Sequence, residues 1–211
     1  MRTIFTVYAF LTLAAGLASA QTAGSPVNVS VQAADALTGA PVEPAVSFAG
    51  PGAEGVRNSG TGWYVIPEGN FNAVASAPGY FDKAFAISLA GQDTAVYQVR
   101  MIKKGSLMKV EVSWSAPNKA MIKKARIEDL ARILLENPKA RVRVTAYLDR
   151  DGGRKMNQKL ANERADAIRA ALVRADIEAA RVETDGRLVA VKGKTKALRE
   201  ANNRVEATFI E

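Results

Sequence analysis

The sequence predicts an α+β protein of two domains, an antiparallel β-sandwich followed by a domain in which helices pack on a mixed sheet. Short apolar alternations separated by Gly- and Pro-containing turns fill the first half, and strand and helix patterns alternate in the second half. The charge also changes: from Lys104 onward 24 Lys and Arg stand against 15 Asp and Glu, whereas residues 21–103 are slightly acidic. We therefore expect domains at residues 21–103 and 104–211.

The first twenty residues have the composition of a secretory signal peptide. Arg2 gives a short basic start, residues 4–17 are apolar, and Ala18-Ser19-Ala20 supplies small residues for cleavage. The apolar run is shorter than the roughly 20 residues that span a bilayer. We therefore expect cleavage after Ala20, no transmembrane segment in the mature chain, and a periplasmic or envelope-associated location. An uncleaved membrane anchor is the alternative.

Cys and His are both absent from the sequence. Their absence excludes disulfides, a lipid-accepting Cys, thiolate metal sites and the commonest general base. The sequence also has no Gly-rich phosphate loop, nucleophile elbow or metal-ligand cluster. We therefore expect no catalytic residues, no cofactor and no metal. The basic residues are spread over helix faces instead of being clustered with aromatic residues, so nucleic acid is not an expected partner.

The first half has a strand pattern throughout. Strands are expected around residues 27–31, 45–48, 62–66, 71–75, 81–89 and 95–101. Three stretches, Thr38-Gly39-Ala40-Pro41-Val42, Gly62-Trp63-Tyr64 and Ala75-Ser76-Ala77-Pro78-Gly79-Tyr80, resemble the carboxypeptidase-regulatory-like family of small prealbumin-like sandwiches over residues 26–103. This resemblance implies a fold more than a function. The expected partner of this domain is an envelope protein or a glycan. No binding-site residue is assigned in it.

The second half alternates strands and helices. Met108, Val110, Val112 and Trp114 alternate with polar residues, which predicts a half-buried strand. A helix is predicted from about Asn118 to Glu136, a strand at Arg141–Leu148, and a long helix from about Arg154 to Ala175. This order predicts a sheet with helices packed on it.

One arginine in the long predicted helix lies in an unexpected position. Arg164 lies beside an apolar stripe formed by Met156, Leu160, Ile168 and Leu172. An arginine in this position needs an acidic partner or a ligand. Asp149, just beyond the preceding strand, is the nearest acid by topology. Spacing alone leaves both a structural Asp149–Arg164 salt bridge and a ligand site open, and it favours the salt bridge.

From about Met108 to Ile210 the chain is similar to the OmpA-like domain family. Four stretches carry the similarity: Leu134-Leu135-Glu136-Asn137-Pro138, Ala146-Tyr147-Leu148-Asp149, Asn157-Gln158-Lys159-Leu160-Ala161-Asn162-Glu163-Arg164-Ala165, and Arg199-Glu200-Ala201-Asn202-Asn203-Arg204-Val205-Glu206. The family usually has Gly-His-Thr where this chain has Ala146-Tyr147-Leu148, and a second arginine where it has Asn203. The similarity implies an OmpA-like βαβαβ-type domain.

The resemblance also implies a binding site. In that family the residues that correspond to Asp149 and Arg164 bind the diaminopimelate of a peptidoglycan stem peptide. The chemistry is plausible because a carboxylate accepts from the ligand ammonium, while a guanidinium donates to the ligand carboxylate. Asn157, Asn202 and Arg204 match further family positions, which implies a supporting role.

These observations predict a non-catalytic envelope protein that binds peptidoglycan, with an N-terminal sandwich for display or partner binding. The alternative is an OmpA-like structural or interaction module that has lost wall binding. In that case Asp149 and Arg164 form a buried internal ion pair. A structure discriminates between them, because a closed bidentate contact between the two side chains favours the alternative.

Overall fold

The computed structural model describes residues 6–8, 26–60, 62–149, 153–190 and 202–211. The chain divides into two compact units, residues 1–103 and 104–211. The expected signal peptide, residues 1–20, lies outside the described residues except for Thr6–Tyr8, and its cleavage stays a prediction.

Within the described ranges, no helix is both long enough and apolar enough to cross a membrane.

The described part of the first unit consists of two β-sheets. Its strands are β1 (Thr6–Tyr8), β2 (Val27–Asp35), β3 (Pro41–Val42), β4 (Ala45–Ala49), β5 (Arg57–Gly60), β6 (Trp63–Ile66), β7 (Gly69–Ser76), β8 (Lys83–Leu89) and β9 (Thr94–Met101). One sheet has the order β1-β9-β2-β6-β5, with β3 paired to the end of β2, and the other has the order β4-β7-β8. Strands therefore occur where the apolar alternation in the sequence predicts them.

The two sheets share one hydrophobic core. Alternate residues of β2, β6 and β9 contribute to it from one sheet, and alternate residues of β7 and β8 contribute from the other. Its fully buried members include Val27, Val29, Ile66, Ala73 and Met101. This burial follows from the two-residue period of a strand, which places every second side chain on the same face.

The expectation of a wholly antiparallel first domain is wrong. β2 pairs with β9 in parallel, from Asn28 opposite Thr94 to Asp35 opposite Met101. β1 also pairs with β9 in parallel. Parallel neighbours need a long crossover, and here strands β3 to β8 separate β2 from β9 in sequence. The sequence pattern predicts the strands but contains no signal for this pairing.

Asp35 joins two of the motifs seen in the first half of the sequence. Its Oδ1 accepts from the backbone N–H groups of Leu37 and Thr38, both at 2.9 Å. It also forms a hydrogen bond with the Tyr80 side chain. Although burial opposes ionisation, these hydrogen bonds hold the pKa of Asp35 below its usual value. The turn after β2 is thus fixed to the turn before β8 by a single carboxylate.

The described part of the second unit is one five-stranded sheet with two helices. Its elements are β10 (Leu107–Trp114), β11 (Ile122–Arg126), α1 (Glu128–Glu136), β12 (Arg141–Asp149), α2 (Arg154–Arg174), β13 (Val182–Val189) and β14 (Val205–Ile210). The strand order is β11-β10-β14-β12-β13. Only β12 and β13 pair in parallel, with α2 as their crossover, so the sheet is mixed as predicted.

The predicted helix from about Asn118 to Glu136 is wrong in its first half. Residues Ile122–Arg126 form strand β11, antiparallel to β10, and the helix begins only at Glu128. Ile122 and Ala125 are half-buried, and their three-residue spacing fits a helix better than a strand. Pairing with β10 supplies the backbone hydrogen bonds that make this segment a strand.

Helix α2 packs very closely against β13 at Gly186. A Cβ built on Gly186 would overlap Asn162 Oδ1 and would lie 2.5 Å from the Asn162 backbone nitrogen and 2.7 Å from the Ala161 carbonyl carbon. Gln158 Nε2 donates to the Gly186 carbonyl at 2.6 Å. Glycine at this position therefore sets the distance between the helix and the sheet.

Candidate ligand-binding site

Asp149 is the last residue of β12. Its backbone is in register with Val189 of β13, and its carbonyl accepts from Asn157 Nδ2 at 3.1 Å. Its Oδ1 is buried and has no hydrogen-bond partner among the described residues. Burying a carboxylate oxygen without a partner costs free energy, so the position needs an explanation.

Arg164 lies in the middle of α2 and is 4% exposed. Its Nη2 donates to the Pro117 carbonyl at 2.7 Å and its Nε to the Lys119 carbonyl at 3.2 Å. Its guanidinium carbon lies 4.7 Å from the centroid of the Trp114 ring. Burial lowers the pKa of Arg164 to about 10, so the side chain stays protonated at neutral pH.

Arg164 thus bonds to the β10–β11 turn and not to Asp149. Its partners among the described residues are backbone carbonyls and an aromatic ring, and no carboxylate neutralises it there. The closed Asp149–Arg164 contact of the structural alternative is not formed. The Arg164 side chain is nevertheless buried.

Arg164 nevertheless lies on the same face of α2 as Asn157, the residue that binds the Asp149 backbone. Asn157, which binds the Asp149 carbonyl, precedes Arg164 by seven residues, or about 10 Å along a helix axis. Positions seven apart lie on the same helix face, and long helical side chains lean toward the N-terminus. The Arg164 side chain therefore leans toward the end of α2 at which Asn157 holds Asp149.

The predicted supporting residues hold the strands at this end of the sheet. Asn157 fixes the Asp149 backbone, as described. Arg204 lies 4.0 Å over the Tyr147 ring and its Nε donates to Glu206 at 2.6 Å. The Arg204 carbonyl accepts from Tyr147 N–H at 2.8 Å, and the Asn202 carbonyl accepts from Arg204 N–H at 3.0 Å. The contacts of Arg204 and Asn202 stabilise the join between β12 and β14.

Tyr147 occupies the position where the family usually has histidine. Burial, followed by the neighbouring Glu206 carboxylate and a hydrogen bond to it, raises the pKa of Tyr147. Its ring also covers one face of the Arg204 guanidinium. Tyr147 therefore braces the strand end with a phenol and an aromatic face in place of an imidazole.

Sequence reasoning missed the groups that surround Arg164. Trp114 is on the strand face expected from its alternation with Val110 and Val112, but nothing in that pattern connects it to an arginine fifty positions later. The Pro117 and Lys119 carbonyls have no side-chain signal at all. The error in the helix prediction concealed the turn that carries them.

Arg181 provides an internal comparison for Arg164. Its guanidinium donates to the carbonyls of Leu134, Asn137 and Ala140 at 2.8 to 3.0 Å, and so caps the end of α1. Burial lowers the pKa of Arg181, and Glu178 opposes that effect. An arginine bonded to carbonyls can therefore serve structure alone, which any test of Arg164 must take into account.

Comparison with known protein families identifies the second unit. Residues 116–208 match the OmpA family. This part of the chain is an OmpA-like domain. Probable lipoprotein YiaD of Escherichia coli is 35% identical over 83 residues, covering 38% of this chain and 38% of the relative. Outer membrane protein Omp38 of Acinetobacter baumannii is 37% identical over 99 residues, covering 44% of this chain and 28% of the relative. The chain thus matches well under half the length of these relatives.

Among solved structures, the chain is similar to a periplasmic domain, a lipoprotein and a cell wall anchor. The periplasmic domain of Helicobacter pylori MotB has a TM-score of 0.42 at 20% identity, over 51% of this chain and 83% of that one. The peptidoglycan-associated lipoprotein of Burkholderia pseudomallei has a TM-score of 0.38 at 21% identity, over 49% and 89%. The cell wall anchor of the T6SS from Pseudomonas aeruginosa has a TM-score of 0.38 at 23% identity, over 51% and 89%.

Proposed function

We propose that the protein is a non-catalytic cell-envelope protein that binds peptidoglycan through the diaminopimelate of the stem peptide. In this proposal Asp149 accepts hydrogen bonds from the ligand ammonium and Arg164 donates to the ligand carboxylate. Both interactions are charge-assisted, and they are therefore stronger than bonds between neutral groups. Asn157, Asn202 and Arg204 support the site by holding its backbone.

The observation that carries the proposal is a pair of opposite charges that do not satisfy each other. Asp149 Oδ1 is buried without a partner among the described residues, and Arg164 is buried against carbonyls without a carboxylate. A domain selected only for stability would gain by pairing these charges or by replacing them with apolar residues. Unsatisfied buried charge is typical of a binding site that a ligand completes.

Similar proteins include an outer membrane protein, a peptidoglycan-associated lipoprotein and a cell wall anchor, which agrees with this location and ligand. We carry these properties to this chain as part of the proposal, because the family match covers residues 116–208 and not the whole chain. Export by a signal peptide that is cleaved after Ala20 belongs to the same proposal.

The alternative function is a structural module that keeps the OmpA-like fold without binding the wall. The burial of Arg164 favours it, because its carbonyl bonds resemble those of Arg181. In this alternative Arg164 fixes the β10–β11 turn to α2. It gives no reason for a buried oxygen at Asp149 that has no partner among the described residues, so we favour the ligand site.

Asp149→Asn is the decisive substitution, because it removes the charge and preserves the shape. Under the proposal, the variant binds purified sacculi at least tenfold more weakly than the wild-type chain and melts at the same temperature or higher. Stability does not suffer because Asp149 Oδ1 has no hydrogen bond to lose among the described residues. Co-sedimentation with sacculi and thermal unfolding measure the two effects.

Two variants serve as controls. Asp166→Asn makes the same charge change on α2, where Asp166 accepts from the Thr184 hydroxyl at 2.8 Å, and it should bind sacculi as wild type does. Arg181→Gln should lose stability and retain binding. Wall binding by Asp149→Asn at the wild-type level would contradict the proposal and leave the structural module as the function.

For the first unit, we propose a small carboxypeptidase-regulatory-like sandwich that displays the OmpA-like domain or binds an envelope partner. Two features support the fold: both sheets share one core, and Asp35 joins the turns that carry the family resemblance. Trp63 is 41% exposed, so it lies outside that core.

A further inference from the structure

Trp114 and Arg164 meet beside an irregularity in the β10–β11 hairpin. The pairing of β10 with β11 shifts register between Ser113 and Trp114, so that Trp114 lies opposite Ile122. The extra residue of this irregularity, Lys123, is on β11, so Trp114 keeps the face that it shares with Val110 and Val112 on β10. The indole and the carbonyls of the following turn surround the Arg164 guanidinium together.

Two of the three guanidinium nitrogens of Arg164 make hydrogen bonds with the described residues. Nε and Nη2 donate to the Lys119 and Pro117 carbonyls, and Trp114 lies over the planar group. Nη1 makes no hydrogen bond with the described residues. An aromatic face attracts a cation without accepting its N–H groups in the guanidinium plane, whereas an acidic partner would occupy them. The tryptophan therefore helps to keep a buried cation charged while Nη1 stays available.

We infer that Trp114 is a positioning residue for the carboxylate-binding arginine: its ring holds Arg164 charged and oriented, with Nη1 left to bind the ligand carboxylate. This inference rests on the proposed function and extends it to a residue outside the pattern of aspartate and arginine. The β10–β11 hairpin, whose second strand lies in the segment predicted to be a helix, then becomes one wall of the site.

Two substitutions at Trp114 distinguish the effect of its aromatic ring from the effect of its side-chain volume. Trp114→Leu keeps an apolar side chain but removes the aromatic face, and Trp114→Phe keeps a smaller aromatic face. In the full chain we expect Trp114→Leu to bind sacculi about tenfold more weakly, and Trp114→Phe to bind within about threefold of wild type, in line with the strength of a desolvated cation–π contact. Trp63→Phe, in the first unit, is the control and should leave binding unchanged.

Fluorescence provides a readout that a purely structural role would not change. The chain has two tryptophans, so Trp63→Phe leaves Trp114 as the single emitter. Titration of this variant with a soluble diaminopimelate-containing stem tetrapeptide should shift the emission of Trp114 in a saturable manner. The corresponding lysine-containing peptide, which lacks the second carboxylate, should have no effect.

The possible results distinguish a failure of this inference from a failure of the proposed function. Equal sacculus binding by Trp114→Leu and wild type, or tetrapeptide binding without a change in Trp114 emission, overturns the inference and leaves the proposed function intact. If Trp114→Leu does not fold, the fluorescence titration alone decides. If the wild-type chain does not bind sacculi, the proposed function fails, and the inference fails with it.

Discussion

Replacing Gly186 with alanine would force helix α2 away from strand β13. The new Cβ would lie 2.5 Å from the Asn162 nitrogen and 2.7 Å from the Ala161 carbonyl carbon, whereas ordinary contacts begin near 3.4 Å. These distances are shorter than an ordinary contact by nearly 1 Å. They involve backbone atoms, which cannot rotate away as a side chain can. Overpacking of this kind costs about 1–3 kcal/mol, and we expect about 2 kcal/mol or more here.

For a unit of this size, 1 kcal/mol corresponds to a change in Tm of about 4–8 °C, so Gly186→Ala should melt about 8–16 °C below wild type. Thermal unfolding followed by circular dichroism measures this. Gly153→Ala is the matched control, because its Cβ would lie 3.8 Å from the Met156 Cβ and should shift the Tm by only a few degrees. Similar melting of the two variants would refute the packing argument.

Three further predictions concern the rest of the chain. Because the pKa of Asp35 is lowered in the fold, its carboxylate stabilises the first unit above its unfolded pKa of 3.8, and this stability is lost as the pH falls through the lower, folded value. Asp35→Asn should therefore lower the Tm of the first unit at pH 7, and urea unfolding should show a smaller difference from wild type below pH 3. Residues 104–211 expressed alone should unfold cooperatively, and a broad, non-cooperative transition would count against an independent domain. Protein recovered from the periplasm should begin at Gln21 by intact mass, and a retained Met1 with membrane association would indicate an anchor instead.

Local periodicity was sufficient for much of the fold. Arg141–Asp149 follows a two-residue period, and Val142, Val144 and Ala146 are all buried. The long helix was predicted to within one residue of its observed span, Arg154–Arg174, because its apolar stripe extends over five turns. The pattern identified the helix better than its buried face, since Met156 at the start of the stripe is 71% exposed.

Pairing between distant segments was beyond what the sequence could show. β11 was mistaken for the start of a helix because its apolar residues, Ile122 and Ala125, have helical spacing, and pairing with β10 overrides that local pattern. The parallel pairing of β2 with β9 was missed for a related reason. Strand patterns indicate which residues are buried, but they do not specify the neighbouring strand.

The candidate site shows the same limit. Asp149 and Arg164 were identified from their spacing and from family resemblance, since both are side chains that carry charge. Their surroundings were not identified, because the Arg164 partners are two backbone carbonyls and the ring of Trp114, all distant from it in sequence. Contacts made by the main chain are determined by tertiary structure and have no residue type that would reveal them.

The parallel pairing of β2 with β9 has a consequence for folding kinetics. Val29 lies opposite Ala95, so this ladder closes a loop of more than sixty residues. Contacts of such long sequence separation are slow to form, because the chain must lose loop entropy before any hydrogen bond compensates. When the chain is synthesised or exported from its N-terminus, β2 appears first and has to wait for β9. Until then, its alternating valines and unpaired backbone groups are exposed and prone to aggregation.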